Sequence, residues 1–285
     1  RIPGERFLDT ASAAADSASN ASETAVDGRA AFASWLTDHE NPYFAKAIVN
    51  RLWKALMGRG LIEPTDDLRA TNPATHPRLL EQLAQDFVEH GYDLRHTLRR
   101  IAASATYARS AHALVENYAD ERYYSHAFTR PLQPEVLLDA ISDVTGVSEV
   151  YGEQPLGTRS VSLFDASIKS EALDILGRCS REESCETSAS ANGGLSRALH
   201  LFNGELLNRR LDDQNGRIVQ GLAEGHAPLN LVDEFYLRAL GRSPSAAEQA
   251  HWLQQLSGLK DEELQAGLED FVWSLLACRE FVTNH

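Results

Sequence analysis

The fold is decided by the stretch NPYFAKAIVNRLWKALMGRG, residues 41–60. Asn41 can cap a helix and Pro42 fits its first turn, because the N–H that proline lacks has no helical acceptor there. Gly58 and Gly60 end the pattern, since glycine readily closes a helix C-terminus. Between them, apolar side chains recur every three or four residues, the period of a helix with one buried face. These positions are Phe44, Ile48, Val49, Leu52, Trp53 and Leu56.

The same period continues along most of the chain, and no useful strand-like alternation interrupts it. Mixed, glycine-containing residues 147–163 are the one segment compatible with short strands. We therefore predict an all-α fold, an irregular bundle of at least eight helices with little or no sheet. Further apolar helical faces occupy residues 79–88, 94–105, 136–144, 195–207, 232–240, 252–256 and 264–276. Where the pattern weakens beyond residue 107, aromatic side chains predict packed helical turns; they are Tyr118, Tyr123, Tyr124 and Phe128.

Composition also predicts the organisation of the chain. Residues 9–27 are rich in alanine and serine and almost lack large apolar side chains. Such a segment buries too little surface to offset its ordering entropy, so we expect residues 1–26 to be a linker or flexible insertion. The remainder divides into an N-terminal helical subdomain, 27–146, an irregular connector, 147–194, and a C-terminal helical subdomain, 195–285, which together make one continuous domain, 27–285.

Net charge and motifs exclude several classes of protein. With 27 Lys+Arg against 41 Asp+Glu, the formal charge is −14, which disfavours nucleic acid and anionic lipid as partners. No stretch approaches the ~20 apolar residues of a membrane span. Signatures of zinc proteases, esterases, dinucleotide and nucleotide binding, and c-type haem attachment are missing. The chain begins with Arg1 rather than methionine, so we expect a piece of a longer protein.

Metal binding finds little support in the spacing of the ten histidines. Histidine ligands on one helix favour a spacing of three or four residues, and no pair has it. His90 and His96 are six residues apart. The carboxylates around Asp66 and Asp67 lack the ligand alternation of a calcium loop. The sequence therefore predicts no metal site.

Basic residues flank an acidic loop, residues 61–75, and leave two interpretations open. Arg51 and Lys54 share one helix face, while Arg59 and Arg69 lie on either side of the acidic residues. The first interpretation is a set of intramolecular ion pairs that hold the loop onto the helix. The second is a pocket for an anion or carboxylate between helix and loop.

The ion-pair interpretation makes a specific statement about this segment. Trp53 lies on the apolar stripe and should be buried. Arg51 or Arg59 should pair with Asp66 or Asp67, because the carboxylates lie about one loop away.

An enzyme would use the same region differently. Asp67 and His76 are then the candidate catalytic residues, with Asp67 as acid or base. Arg51, Arg59 and Arg130 are the candidate anion-binding residues, because guanidinium groups clamp anionic oxygens. Convergence of these five side chains on one concave pocket would favour the enzyme, and closed ion pairs would favour a non-catalytic module.

Three cysteines admit several roles. Cys278 lies in an apolar helical run and is expected to be a buried thiol. Cys179 and Cys185 could form a local disulfide in an exported protein, a two-thiolate metal site that lacks nearby further ligands, or a catalytic thiol. A catalytic thiol would be favoured by the positive charge of Arg178 and Arg181 nearby in the sequence.

Short motifs in residues 41–110 closely resemble the C-terminal domain-of-unknown-function family of large exported planctomycete proteins. Later segments at 130–146 and 177–211 and the closing WSLLACREFVTNH are similar to further blocks of that family, so the resemblance covers about residues 27–285. Ala277-Cys278 depart from the Asn-Ser that the family often has. The matching motifs are Asn41-Pro42, Asn50-Arg51-Leu52-Trp53, Gly58-Arg59-Gly60, Asp66-Asp67, Asn72-Pro73, His76-Pro77, Gly91-Tyr92-Asp93 and Ser104-Ala105-Thr106-Tyr107.

The resemblance implies a context rather than an activity, because the family's biochemical function is not established. It implies export to the periplasm or extracellular space, and hence a disulfide between Cys179 and Cys185. Haem is implied only for upstream cytochrome-c-like domains, with no cofactor in this chain. The expected function is a non-catalytic interaction or structural module that docks on an upstream domain serving polysaccharide breakdown or electron transfer, with a glycan as a further candidate partner. The alternative is a glycan-active enzyme that uses the five-residue cleft.

Overall fold

The structure, a computed structural model, describes residues 28–38, 40–165, 167–178 and 204–284. These residues form twelve α-helices, one short 3-10 helix and a single two-stranded sheet. The predicted all-α fold of at least eight helices is thereby confirmed. No helix in these ranges is both long enough and apolar enough to cross a membrane. The predicted linker, residues 1–26, and the predicted disulfide partners Cys179 and Cys185 lie outside the described residues.

The chain separates into two compact units, one ending at Thr129 and the other spanning Arg130–Asn284. In the first unit, α2 packs against both α3 and α4. Val49 and Trp53 of α2 meet Phe87 of α3 and Ile101 of α4 in its buried core. Its helices are α1 (Gly28–Leu36), α2 (Phe44–Met57), α3 (Pro77–Glu89) and α4 (Leu94–Ala102).

The prediction of packed helical turns beyond residue 107 is wrong. Residues 103–129 of the first unit contain no helix. Tyr124 is buried, but Tyr118 and Tyr123 are exposed, so the aromatic residues do not form packed helical turns. The sequence lacks a helical period here, and aromatic content alone says nothing about which side of a loop faces the core.

The second unit surrounds its longest helix, α11, which packs against α7, α8, α9, α10 and α12. Phe235 and Phe271 meet edge to face in its core, with ring centroids 6.2 Å apart. Arg130 pairs with Asn284 in the small sheet, so the two ends of the unit meet. Its elements are β1 (Arg130–Pro131), α5 (Pro134–Thr145), the 3-10 helix η1 (Ser160–Ser162), α6 (Glu171–Ile175), α7 (Glu205–Leu211), α8 (Arg217–Ala223), α9 (Pro228–Leu240), α10 (Ala246–Leu256), α11 (Asp261–Ala277), α12 (Arg279–Val282) and β2 (Thr283–Asn284).

Helix α5 belongs to this second unit, whereas the sequence grouped residues 27–146 together. Its Leu138 and Ile141 are fully buried in the core of the second unit. The irregular segment that follows does not mark a boundary, because it docks back on α5. Asp139 of α5 accepts a hydrogen bond of 2.7 Å from the backbone N–H of Ser160. This buried carboxylate thus ties η1 to the helix.

A charged cluster fixes the turn between α9 and α10 of the second unit. Arg242 donates to both carboxylate oxygens of Glu248, at 3.0 Å each, and of Glu280, at 2.7 and 2.8 Å. Glu248 also accepts from the backbone N–H of Ser245, which completes the capping box that opens α10. The hydrogen bonds from Arg242 lower the pKa of Glu248 to about 2 from its ordinary value of 4.5.

Replacing Arg242 by methionine should destabilise the protein at pH 7 by about 1 kcal/mol, because two bidentate pairs are lost at a partly exposed site. The pKa of Glu248 is lower in the folded chain, so this stabilisation is present above pH 4.5 and is lost as the pH falls towards 2. The difference in the free energy of unfolding between wild type and variant, measured by urea denaturation, should therefore be smaller at pH 3 than at pH 7. Arg238→Met is the control, since Arg238 pairs with Glu234 on the same helix. A difference in unfolding free energy that does not change with pH would contradict the role given to the Arg242–Glu248 pair.

Candidate functional site

The loop between α2 and α3, residues 58–76, contains three of the five predicted cleft residues, Arg59, Asp67 and His76, and is held in place by Asn50. This side chain is fully buried. Its amide nitrogen donates to the carbonyls of Ile62 and Thr65, at 2.9 and 3.0 Å, and its amide oxygen accepts from the Ile62 N–H at 3.0 Å. A loop has no ladder of its own to satisfy buried backbone groups, so Asn50 supplies the missing partners.

Gly60 allows the loop to approach α2 closely. A Cβ atom at this position would lie 2.5 Å from the Ile62 carbonyl oxygen and 3.1 Å from the Asn50 amide oxygen. The Gly60 carbonyl accepts a 2.7 Å hydrogen bond from the Tyr124 hydroxyl. Burial raises the pKa of Tyr124 to about 12, so the hydroxyl remains a donor at neutral pH. The glycine in this motif therefore serves packing.

The ion-pair prediction for this loop is confirmed. Trp53 is buried, and Arg51 donates to a single carboxylate oxygen of Asp66 from Nε at 3.1 Å and from Nη2 at 2.7 Å. Asp67 binds Arg69 instead, through two hydrogen bonds of 2.6 Å. The Arg51 and Asp67 side chains are therefore engaged in separate pairs.

These pairs bear on the candidate chemistry of Asp67. The Arg69 side chain holds the pKa of this carboxyl below its usual range, so Asp67 is ionised at neutral pH. A general acid needs a raised pKa, and a base with a lowered pKa is a weak one. The geometry of Asp67 is that of a loop carboxylate that stabilises its own turn.

The other predicted site residues lie in different settings. His76 is half-buried at the start of α3, with its ring centroid 6.1 Å from Tyr123 and 6.0 Å from Tyr124. Arg59 is half-buried, and its Nε has no hydrogen-bond partner among the described residues. Arg130 belongs to β1 of the second unit. Its grouping with Arg51, Arg59, Asp67 and His76 in one cleft remains a prediction.

Two cavities open on the first unit. One of about 280 Å³ is lined by Lys46, Arg69 and Asn72 together with apolar residues of the loop, of α3 and of the segment just before α2. The other, of about 550 Å³, has His96 and Arg99 in its wall. Asp67 and His76 line neither of the two.

A cluster that the sequence analysis passed over lies at the end of α3. Asp86, His90 and His96 place their ligand atoms within 4.8 Å of one another. For the histidines, the prediction of no metal site rested on the spacing between one histidine and the next. The signal that could have found this cluster combines a carboxylate with the histidines. Asp86 and His90 are four residues apart at one helix, and His96 follows on the next. Cys278, in contrast, is a half-buried free thiol after α11.

Replacing Asn50 by leucine should destabilise the protein by about 3 kcal/mol, because three loop backbone groups lose their buried partner. Urea unfolding measures the loss, and hydrogen exchange at the Ile62 amide reports whether the loop detaches. Asn72→Ala is the matched control. Asn72 donates to the carbonyls of Glu63 and Asp67 in the same loop but is only half-buried, so a smaller loss is expected. Equal losses in the two variants would argue against the special role of Asn50.

Comparison with known proteins gives one family and nothing narrower. Neither a protein of curated function nor a solved structure matches the sequence. The pattern of the PSD1 family matches residues 28–256, which include the Asn50 helix, its loop and most of the second unit. The chain therefore belongs to the PSD1 family, proteins of unknown function (DUF1553).

Proposed function

We propose that this chain is a non-catalytic helical interaction module of a larger exported protein. The observation that carries the proposal is a surface loop, residues 110–127 of the first unit, which presents large apolar side chains to solvent. Leu114, Val115 and Tyr118 are 65%, 85% and 71% exposed. Exposed apolar side chains gathered on one segment are typical of a surface that another molecule covers.

Hydrogen bonds within the loop hold it in shape. Its ends are joined by the Ala127 N–H, which donates to the Ser110 carbonyl at 3.0 Å. Asn117 accepts from the Leu114 N–H at 2.6 Å. The Asp120 carboxylate accepts from three backbone N–H groups, those of Arg122, Tyr123 and Ser125. A surface that is already ordered loses little conformational entropy on binding, which favours association.

The partner that we propose is a protein surface, an upstream domain of the same larger protein. Leu114 and Val115 offer no hydrogen bonds to the hydroxyl groups of a sugar, but each gains free energy when apolar surface is removed from water, at about 25 cal/mol per Å². We place the complex in the periplasm or outside the cell. The upstream domains would supply polysaccharide breakdown or electron transfer, and any haem.

The alternative, a glycan-active enzyme, has weaker support. Its cleft needs Arg51 to hold an anion, yet that guanidinium binds Asp66. It needs Asp67 to exchange a proton, yet Arg69 keeps this carboxyl ionised. A glycan could still stack on the exposed tyrosines of the loop, and the experiment below separates that outcome from a protein partner.

The test replaces Leu114, Val115 and Tyr118 by serine in one variant. We expect its association with the remaining domains of the larger protein to weaken at least tenfold in biolayer interferometry, because the covered apolar area is lost. The control variant, Leu237→Ser with Leu253→Ser, removes side chains of similar exposure from α9 and α10 and should bind as wild type. Circular dichroism verifies that both variants fold.

Two results would overturn the proposal. One is unchanged association of the loop variant. The other is turnover of a glycan by the isolated chain that Asp67→Asn or His76→Ala abolishes. A third result would identify a sugar, rather than a protein, as the partner. In that case the chain binds a glycan without turnover, the loop variant no longer binds it, and the loop variant still associates with the upstream domains.

A further inference from the structure

Two histidines and an aspartate meet where α3 ends and α4 begins. His96 Nε2 lies 2.9 Å from Asp86 Oδ2, and His90 Nδ1 lies 3.6 Å from Asp86 Oδ1. The two imidazole rings stack, with centroids 3.8 Å apart and planes inclined by 12°. Imidazole binds a metal ion in its neutral form.

The backbone explains why these three side chains converge. Asp86 and His90 are one helical turn apart, so they share a face of α3. Gly91 then turns the chain with a φ of +64°, and Asp93 caps α4 by accepting from the His96 N–H at 3.1 Å. The cap fixes where the second helix starts and thereby places His96 opposite Asp86.

We propose that Asp86, His90 and His96 bind a divalent transition-metal ion, with Zn²⁺ as the preferred one. Two imidazole nitrogens and one carboxylate oxygen form a donor set that suits Zn²⁺. Around an ion about 2.1 Å from each ligand, the ligand atoms lie roughly 3.4 Å apart, and the present separations of up to 4.8 Å are close to that. The proposal is independent of the interaction surface on residues 110–127.

The rings must turn out of their stack to bind an ion, because imidazole lone pairs lie in the ring plane. His90 Nδ1 lies 2.8 Å from the Asp86 backbone carbonyl, a contact that its ring gives up on turning, and the side chain has room to turn because it is 47% exposed. Asp86 and His96 are more enclosed, at 19% and 29%, and form the fixed part of the site.

Three protein ligands leave a coordination position for another group. His96 also lines the cavity of about 550 Å³, together with Arg99, Arg100 and the apolar side chains of Leu83 and Ile101. An ion on His96 is therefore accessible to water and to small anions that the two arginines attract. Arg100 also opposes the ion, because its Nε lies 3.9 Å from Asp86 Oδ2 and competes for the same carboxylate.

The test measures Zn²⁺ binding to the full chain without an affinity tag by isothermal titration calorimetry. Co²⁺ provides a second readout, because its visible absorption reports tetrahedral coordination by nitrogen and oxygen. His90→Ala and His96→Ala should each weaken binding at least about tenfold and remove the Co²⁺ band. His226→Ala is the matched control, since His226 lies 3.4 Å from Glu224 but is not part of the three-residue cluster.

One further variant separates a metal site from a structural hydrogen-bond cluster. Arg100→Gln removes the competing cation and should tighten Zn²⁺ binding about threefold. If Asp86, His90 and His96 formed only a structural hydrogen-bond cluster, Arg100→Gln would not tighten Zn²⁺ binding. The proposal is overturned if the wild-type chain binds no Zn²⁺ at 100 µM, on the order of a weak site, or if both histidine variants bind as wild type. If His96→Ala fails to fold, the exposed His90→Ala decides the matter.

Discussion

The first unit depends on one buried amide. Asn50 lies on α2 with no exposed surface, and its two polar atoms satisfy three backbone groups of a loop that has no ladder of its own. A buried carbonyl or N–H without a partner is costly, so the loop can pack on the apolar face of α2 only while Asn50 is present. Gly60 is the geometric counterpart of this amide, because any side chain there would push the loop away. The positions of Leu61, Ile62 and Tyr124 in the core follow from these two residues.

This dependence changes the meaning of the motif Asn50-Arg51-Leu52-Trp53. Polar residues in a dense motif suggest chemistry, yet here each has a structural partner: Asn50 the loop backbone, Arg51 the Asp66 carboxylate, and Trp53 the Tyr124 ring. In the described part of this region, these three side chains therefore act to position a loop on α2.

The sequence predicts this structure well wherever one element determines the outcome. The helical period identifies α2, and the carboxylates one loop away identify the partner of Arg51. Contacts between elements distant along the chain carry no such signal. The pairing of Arg242 with Glu280 spans 38 residues, and the hydrogen bond that docks η1 on Asp139 spans 21. The cluster of Asp86, His90 and His96 was missed for the same reason, since the turn between α3 and α4 sets its geometry.

For residues 110–127, the sequence does not predict which side chains are buried and which are exposed. A tyrosine pattern without a period fits a packed turn as well as an exposed loop. The difference is made by Tyr124, whose ring is buried and whose hydroxyl donates to the Gly60 carbonyl. With this anchor, and with Asp120 holding the turn before it, Tyr118 and Tyr123 stay exposed. Leu114 and Val115 of the same loop are exposed too, and removal of their apolar surface from water on binding would be favourable. The same core that holds the motif residues in place therefore also carries the loop that we propose as an interaction surface.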